Sequence, residues 1–276
     1  MDLGNVIQNI VSATREQTEE CPDDYIGEDG LIYCGKCHTP KQYILKWNGE
    51  EEIIPCMCQC QYDKAEAKDR EAKERMRREE IMSMRRDGIP DETLAQCRFI
   101  NDDNQHPEAS AVAKRYVQNF DRAYQEGKGL MFFGNVGTGK TFLAACIANE
   151  LLDQGHPVLV TSISRLANRI QSMYEGKQDY IDSLNRYELL VLDDLSAERD
   201  TEYMNEIVYS IIDSRYRAKK PLIITTNLSG KDSDNASPSR QRIYSRLREM
   251  TFPVKVVGDD RRRWGKSDEL RKILGI

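Results

Sequence analysis

Gly134-Asn135-Val136-Gly137-Thr138-Gly139-Lys140-Thr141 decides how this chain is read. The stretch fits G-x-x-x-x-G-K-[ST], a loop that wraps phosphate. The apolar run Leu130-Met131-Phe132-Phe133 precedes it, and a segment of helical composition from Phe142 to Glu150 follows. Strand, glycine-rich loop and helix is the order the motif needs. Glycines let backbone N–H groups close around phosphate oxygens, and the helix N-terminus adds a favourable dipole. Lys140 is placed to reach the β- and γ-phosphates, and the Thr141 hydroxyl to sit on Mg²⁺. A chance glycine turn would have to reproduce both the motif and its flanks. The chain is expected to bind ATP or GTP.

Further apolar runs surround this one. Pro157–Val160, Glu188–Leu192, Pro221–Thr226 and Pro253–Val257 read as four more strands, separated by helical patterns. A helix with Val112, Tyr116, Phe120 and Ala123 on one face precedes the first strand. Near-continuous apolar strands alternating with helices imply an α/β fold, a parallel five-stranded sheet covered on both faces. Such sheets bind ligands at the carboxyl ends of their strands, where the glycine loop lies.

Two of these strands end in chemistry-bearing residues. Leu189-Leu190-Val191-Leu192 runs into Asp193-Asp194. Asp193 would hold Mg²⁺, directly or through water, and Asp194 would act as general base on the attacking water or orient it. Thr225-Thr226-Asn227 ends the next strand, and the Asn227 amide would hold that water against the γ-phosphate. Asparagine after a strand is otherwise an ordinary turn former. Arg242 and Arg246 stand one helical turn apart. Guanidinium stays charged and grips phosphate oxygens with a fork of donors, so either suits a finger on a neighbour's nucleotide. A salt-bridged helix face is the plainer reading. Arg261-Arg262-Arg263 could reach the nucleotide too, or form a solvated basic turn.

The chain has 276 residues, a net charge of −6 and eight cysteines. Acid outnumbers base from Met1 to Cys60, whereas base outnumbers acid from Arg240 onward. The acidic front suits protein contact, and the basic tail suits DNA or a neighbouring subunit's nucleotide. No apolar run approaches a membrane span, and the start Met1-Asp2-Leu3-Gly4 lacks the pattern of a signal peptide, so a cytoplasmic location is expected.

Cys34-Gly35-Lys36-Cys37 is a C-x-x-C knuckle, and Cys56-Met57-Cys58-Gln59-Cys60 follows it. Two short cysteine groups at this separation suit a closed tetrahedral zinc site. Cys34 and Cys37 form the firm pair. Cys58 joins with either Cys56 or Cys60, and the spacing leaves that choice open. His38 is surplus where thiolates suffice, and a redox C-x-x-C lacks its βαβ surroundings. A structural Zn²⁺ is expected, because a module of this size with few large apolar side chains needs a staple. Leu3, Val6, Ile7, Ile10 and Val11 suggest a short amphipathic helix before it. From Gln61 to about Arg86 the pairs Glu66/Arg70, Asp69/Lys73, Glu71/Arg75 and Glu74/Arg78 read as an exposed charged helix, stopped at Asp87-Gly88-Ile89-Pro90. The expected organisation is residues 1–60 as a zinc module, 61–106 as a charged helical linker and 107–276 as the ATPase domain.

Together these pieces resemble the AAA+ ATPases. Within them the chain is similar to the bacterial and phage helicase loaders of the DnaC and DnaI type and to the related IstB transposition ATPases. The resemblance rests on Gly134–Thr141, Leu190–Arg199, Ile223–Leu228 and Arg242–Leu247. It implies ATP as the nucleotide and a partner, the hexameric replicative helicase, gripped by the N-terminal module and delivered to single-stranded DNA. It also implies that Arg246 is the finger and Arg263 (or Arg262) the second sensor. Residues 161–187 would correspond to a DNA-contacting insertion, with Arg165, Arg169 and Lys177 on phosphates and Tyr174 and Tyr180 stacking on bases. Phe99 and Ile100 are candidates for the adenine contact. Two departures stand out: Asp193-Asp194 replaces the common Asp-Glu, which suits slow hydrolysis, and few residues follow Asn227 for a helical lid. A monomer, or weak self-assembly that gathers on the helicase, is expected. An IstB-like accessory ATPase for transposition is the alternative.

Overall fold

The computed structural model describes residues 22–47, 49–195, 201–227, 237–258, 260 and 271–275. The amphipathic helix expected near the N-terminus, and Arg261, Arg262 and Arg263, lie outside the described residues. The chain divides into two compact units, Met1–Arg78 and Glu79–Ile276.

The first unit holds two small antiparallel hairpins, β1 (Tyr25–Ile26) with β2 (Ile32–Tyr33) and β3 (Gln42–Trp47) with β4 (Glu50–Pro55). Among its described residues the buried apolar side chains are few: Leu31, Ile54, Cys34 and Cys58. Lys41 is buried beside Asp24, with Nζ 2.6 Å from Oδ2. A core this thin supplies little stabilisation by apolar burial alone.

Helix α1 (Gln59–Gly88) begins in the first unit, and the boundary falls within it at Arg78. Its middle is exposed and carries the expected i,i+4 pairs Glu66–Arg70, Asp69–Lys73 and Glu74–Arg78, worth roughly 0.2–0.5 kcal/mol each. Glu71 and Arg75 do not close into a pair.

In the second unit the segment after α1 packs on the sheet. Ile89 is 3% exposed within the core, and Leu94, Ala95 and Phe99 lie against it, although composition reads 61–106 as linker. Asn149 fixes that segment. It is fully buried, its Nδ2 donates to Leu94 O and Cys97 O, and its Oδ1 accepts from Arg85 Nη1 at 2.9 Å. Phe99 is thus held in packing, and Ile100 beside it is 90% exposed.

The sheet is parallel, with strands in the spatial order Val158–Ser162, Leu189–Asp193, Leu222–Thr226, Gly129–Phe133 and Thr251–Lys255. Its strands are β5 (Gly129–Phe133), β6 (Val158–Ser162), β7 (Leu189–Asp193), β8 (Leu222–Thr226) and β9 (Thr251–Lys255). Alternation along each strand divides the core. Leu130, Phe132, Val158, Val160, Leu189, Val191 and Ile223 face one cluster, built with α2 (Glu92–Ala95), α3 (Pro107–Gln118), α4 (Phe120–Glu126) and α5 (Lys140–Gln154). Leu190, Leu192, Leu222 and Ile224 face the other, built with α6 (Ile163–Gln171), α7 (Lys177–Ser183), α8 (Glu202–Arg217) and α9 (Pro238–Met250). This is the three-layer arrangement that fully apolar strands require.

Two expectations need correction. The single helix carrying Val112 to Ala123 is broken at Asn119, whose Nδ2 donates to the Arg115 carbonyl at 2.8 Å and whose backbone (φ −115°, ψ 24°) leaves the helical region. The last strand lies at Thr251–Lys255 rather than 253–257. It runs at the sheet edge beside β5, where Pro253, lacking an N–H, is tolerated.

Candidate functional site

The glycine loop leaves β5 and enters α5 as the motif demands. Gly134 has φ 145°, and a Cβ there would stand 2.0 Å from Val256 O, so a side chain is excluded by backbone conformation and space together. Gly139, at φ 98°, caps α5. Thr138 is fully buried, and its hydroxyl donates to Asn135 O at 2.9 Å, which closes the loop on itself. Val136 at the tip is half exposed. The Lys140 ammonium donates to Gly134 O at 3.0 Å and Asn135 O at 2.6 Å, on the loop's own first residues. An ammonium folded over a ring of loop amides fits a polyphosphate, whose oxygens replace carbonyls as acceptors.

Sheet order brings the acidic strand end to this loop. The Thr141 hydroxyl donates to Asp193 Oδ1 at 2.7 Å, across 52 residues of sequence. Hydroxyl and carboxylate are the hard oxygen donors that magnesium takes beside substrate phosphates. The residues present fit a magnesium–nucleotide. Asp194 follows with a left-handed backbone, φ 57°, and its Oδ1 lies 3.4 Å from Asn227 Nδ2. Lys140, Thr141, Asp193, Asp194 and Asn227 therefore cluster at the carboxyl ends of β5, β7 and β8.

Nothing in the sequence singles out Thr225 within the Thr-Thr-Asn run. Its hydroxyl donates to Asp193 Oδ1 at 2.6 Å and accepts from Asp194 N–H at 2.8 Å. Strand alternation says only that this position is inward, not what it touches.

Arg246 does not stand free. Its Nη2 lies 2.6 Å from Asp213 Oδ1, a carboxylate 3% exposed, and its guanidinium lies over the Tyr216 ring at 4.3 Å. Tyr209 OH accepts a further bond at 3.3 Å. Arg242, one turn earlier, is exposed. In the stretch read as a DNA-contacting insertion, Arg165 and Arg169 are exposed and Tyr174 is fully so. Tyr180 instead packs on the core, and Lys177 lies over the Tyr203 ring.

In the first unit, Cys34, Cys37, Cys58 and Cys60 converge, all four sulfurs lying within 4.8 Å of one another. Cys34 Sγ is 3.6 Å and Cys58 Sγ 3.3 Å from Cys60 Sγ. Tetrahedral zinc with bonds of about 2.3 Å spaces its sulfurs at about 3.8 Å, so the donor set fits Zn²⁺. Cys56 lies outside this group, with Sγ 3.5 Å from Pro40 O, so the sulfurs that converge with the Cys34–Cys37 pair are those of Cys58 and Cys60. Crowding splits the thiols: the Thr39 hydroxyl helps hold Cys37 down to about 5, while the neighbouring Cys58 sulfur pushes Cys60 up to about 12. A divalent cation would let all four ionise together.

The chain is similar to proteins named as replicative helicase loaders. The replicative helicase loader DnaC of Buchnera aphidicola subsp. Baizongia pistaciae is 27% identical over 201 residues, 70% of this chain and 79% of the relative. The loader DnaC of Escherichia coli K12 is 30% identical over 123 residues, and this chain spans about half (49%) of its length. A crystal structure of the DnaC helicase loader superposes with a TM-score of 0.52 at 26% identity, over 60% of this chain and 99% of that one. A model of the IstB-like ATP binding proteins matches residues 66–237, and with its phosphate loop and acidic strand end brought together as described, this chain belongs to that family.

Proposed function

We propose that this protein is an ATP-dependent loader that binds a hexameric replicative helicase and delivers it to single-stranded DNA. The observation that carries the proposal is the contact between Thr141 and Asp193, which makes one nucleotide site from two distant segments in a chain similar to helicase loaders. Residues 134–141 hold the phosphates of ATP, and Thr141 and Asp193 hold Mg²⁺. Asp194 is the base, Asn227 places the water, Arg246 is the finger and Arg263 the second sensor. Arg246 must then leave Asp213 to reach a neighbour's nucleotide, which makes hydrolysis slow until partners assemble. The shorter reach of Asp194 works in the same direction. Zn²⁺ on Cys34, Cys37, Cys58 and Cys60 shapes the N-terminal module that grips the helicase. Relatives named as helicase loaders favour this reading over transposition. No described helix is long and apolar enough to cross a membrane.

The test is native mass spectrometry of the full chain with the cognate hexameric helicase and ATP, beside a chain beginning at Glu79. A defined complex that needs residues 1–78 is the expected result. Absence of any complex with the full chain refutes the loader role.

A further inference from the structure

We propose that Thr225 is a positioning residue that sets both carboxylates at the end of β7, and through them the response of the site to magnesium. The proposal rests on the nucleotide reading above. Thr225 lies inside β8 and is 1% exposed, so its hydroxyl has no water to turn to. It donates to Asp193 Oδ1 at 2.6 Å and accepts from Asp194 N–H at 2.8 Å, and its carbonyl accepts from Leu195 N–H at 2.9 Å. Three consecutive residues leaving β7 are thus tied to one residue of β8.

Each tie has a consequence. Asp193 Oδ1 receives two hydroxyl protons, from Thr141 and Thr225. Two donors on one oxygen fix the carboxylate plane and leave Oδ2 for the cation or its water. At Asp194 the backbone is left-handed, φ 57°, a region uncommon for residues with a side chain but one that aspartate tolerates. The Thr225 oxygen on its N–H helps hold that turn, which carries the Asp194 carboxylate to Asn227. One hydroxyl therefore orients the metal-side carboxylate and the water-side carboxylate together.

Thr225→Val keeps shape and burial but removes donor and acceptor, whereas Thr225→Ser keeps the hydroxyl. Full-length protein is titrated with Mg²⁺ while a fluorescent ATP analogue reports binding, and kcat and KM for ATP are measured alongside. For Thr225→Val, nucleotide binding without Mg²⁺ is unchanged, the Mg²⁺ midpoint rises about 10-fold, and kcat falls about 10- to 100-fold with KM within about twofold. Thr225→Ser restores both to within about threefold. Melting of the unliganded protein monitors folding; if the valine chain does not fold, Thr225→Cys, nearly the same size with a weak donor, replaces it. A valine variant that matches wild type in Mg²⁺ midpoint and kcat overturns the proposal, as does a serine variant as defective as valine. A wild-type chain showing no Lys140-dependent binding of nucleotide refutes the nucleotide reading itself, which separates the two failures.

Discussion

Arg215 offers the sharpest test of how this fold holds its site. The side chain is 1% exposed, and no described carboxylate pairs with it. Its Nη1 donates to Tyr187 O at 2.8 Å, and its Nη2 to Glu188 O at 3.1 Å and Pro221 O at 2.6 Å. Tyr187 and Glu188 lead into β7, and Pro221 leads into β8. One guanidinium thus clamps the entries of the two strands whose far ends carry Asp193 and Thr225. Arg215→Met keeps much of the volume and orphans these three carbonyls, at about 1–3 kcal/mol each. Relief from burying a cation offsets part of that loss. The net expectation is roughly 3–4 kcal/mol of destabilisation. For a unit of this size about 1 kcal/mol moves Tm by some 2–4 °C, so the melting transition of the second unit should fall by about 10 °C. The assay is calorimetry of the full chain, where the two units can be followed separately. Arg215→Lys, with one compact head group for three acceptors, should fall between. A methionine variant melting within about 3 °C of wild type would show that water satisfies those carbonyls and that the clamp reasoning is wrong.

Other expectations follow from the same geometry. Lys140→Ala removes the ammonium over the loop and should abolish measurable ATP binding by calorimetric titration while leaving the melt of the first unit unchanged. Serine at Cys34, Cys37, Cys58 or Cys60 should lower zinc content well below one ion per chain by elemental analysis, whereas Cys56→Ser should retain it; equal loss at Cys56 would contradict the assigned donor set. Asp182 is held below its ordinary value of 3.8, first by the Ser214 hydroxyl and then by Gln178. That contribution is complete above pH 3.8 and is lost as pH falls through the lower folded value. Ser214→Ala should therefore lower stability at neutral pH and flatten the acid limb of a pH–stability profile, and an unchanged limb would sink the assignment.

Local signals and non-local ones divide cleanly along this chain. The glycine loop was readable because its function is carried by backbone, and backbone conformation is dictated by the glycines themselves. The strands were readable because β7 and β8 are apolar on both faces, which only a doubly covered sheet accommodates. The last strand begins two residues earlier than its apolar run suggests, because Pro253 looks like a boundary and is tolerated there only at a sheet edge. Asn119 broke a helix through a side-chain bond to Arg115 O that helical spacing does not encode. Residues 89–101 read as linker by composition, yet a buried Asn149 far along the chain draws their carbonyls onto α5.

By itself, then, the sequence determined the α/β class, the phosphate loop, the acidic strand end and the presence of a cysteine cluster, since each is written in consecutive residues or short spacings. Only the tertiary structure decided that Cys60 rather than Cys56 completes the four sulfurs, that Asp213 and Tyr216 hold Arg246, and that Thr225 bridges Asp193 and Asp194. The physical reason is common to all three. A hydrogen bond or a metal donor set is a condition on distance between atoms, and distance between segments remote in sequence is fixed by how the sheet is ordered and packed.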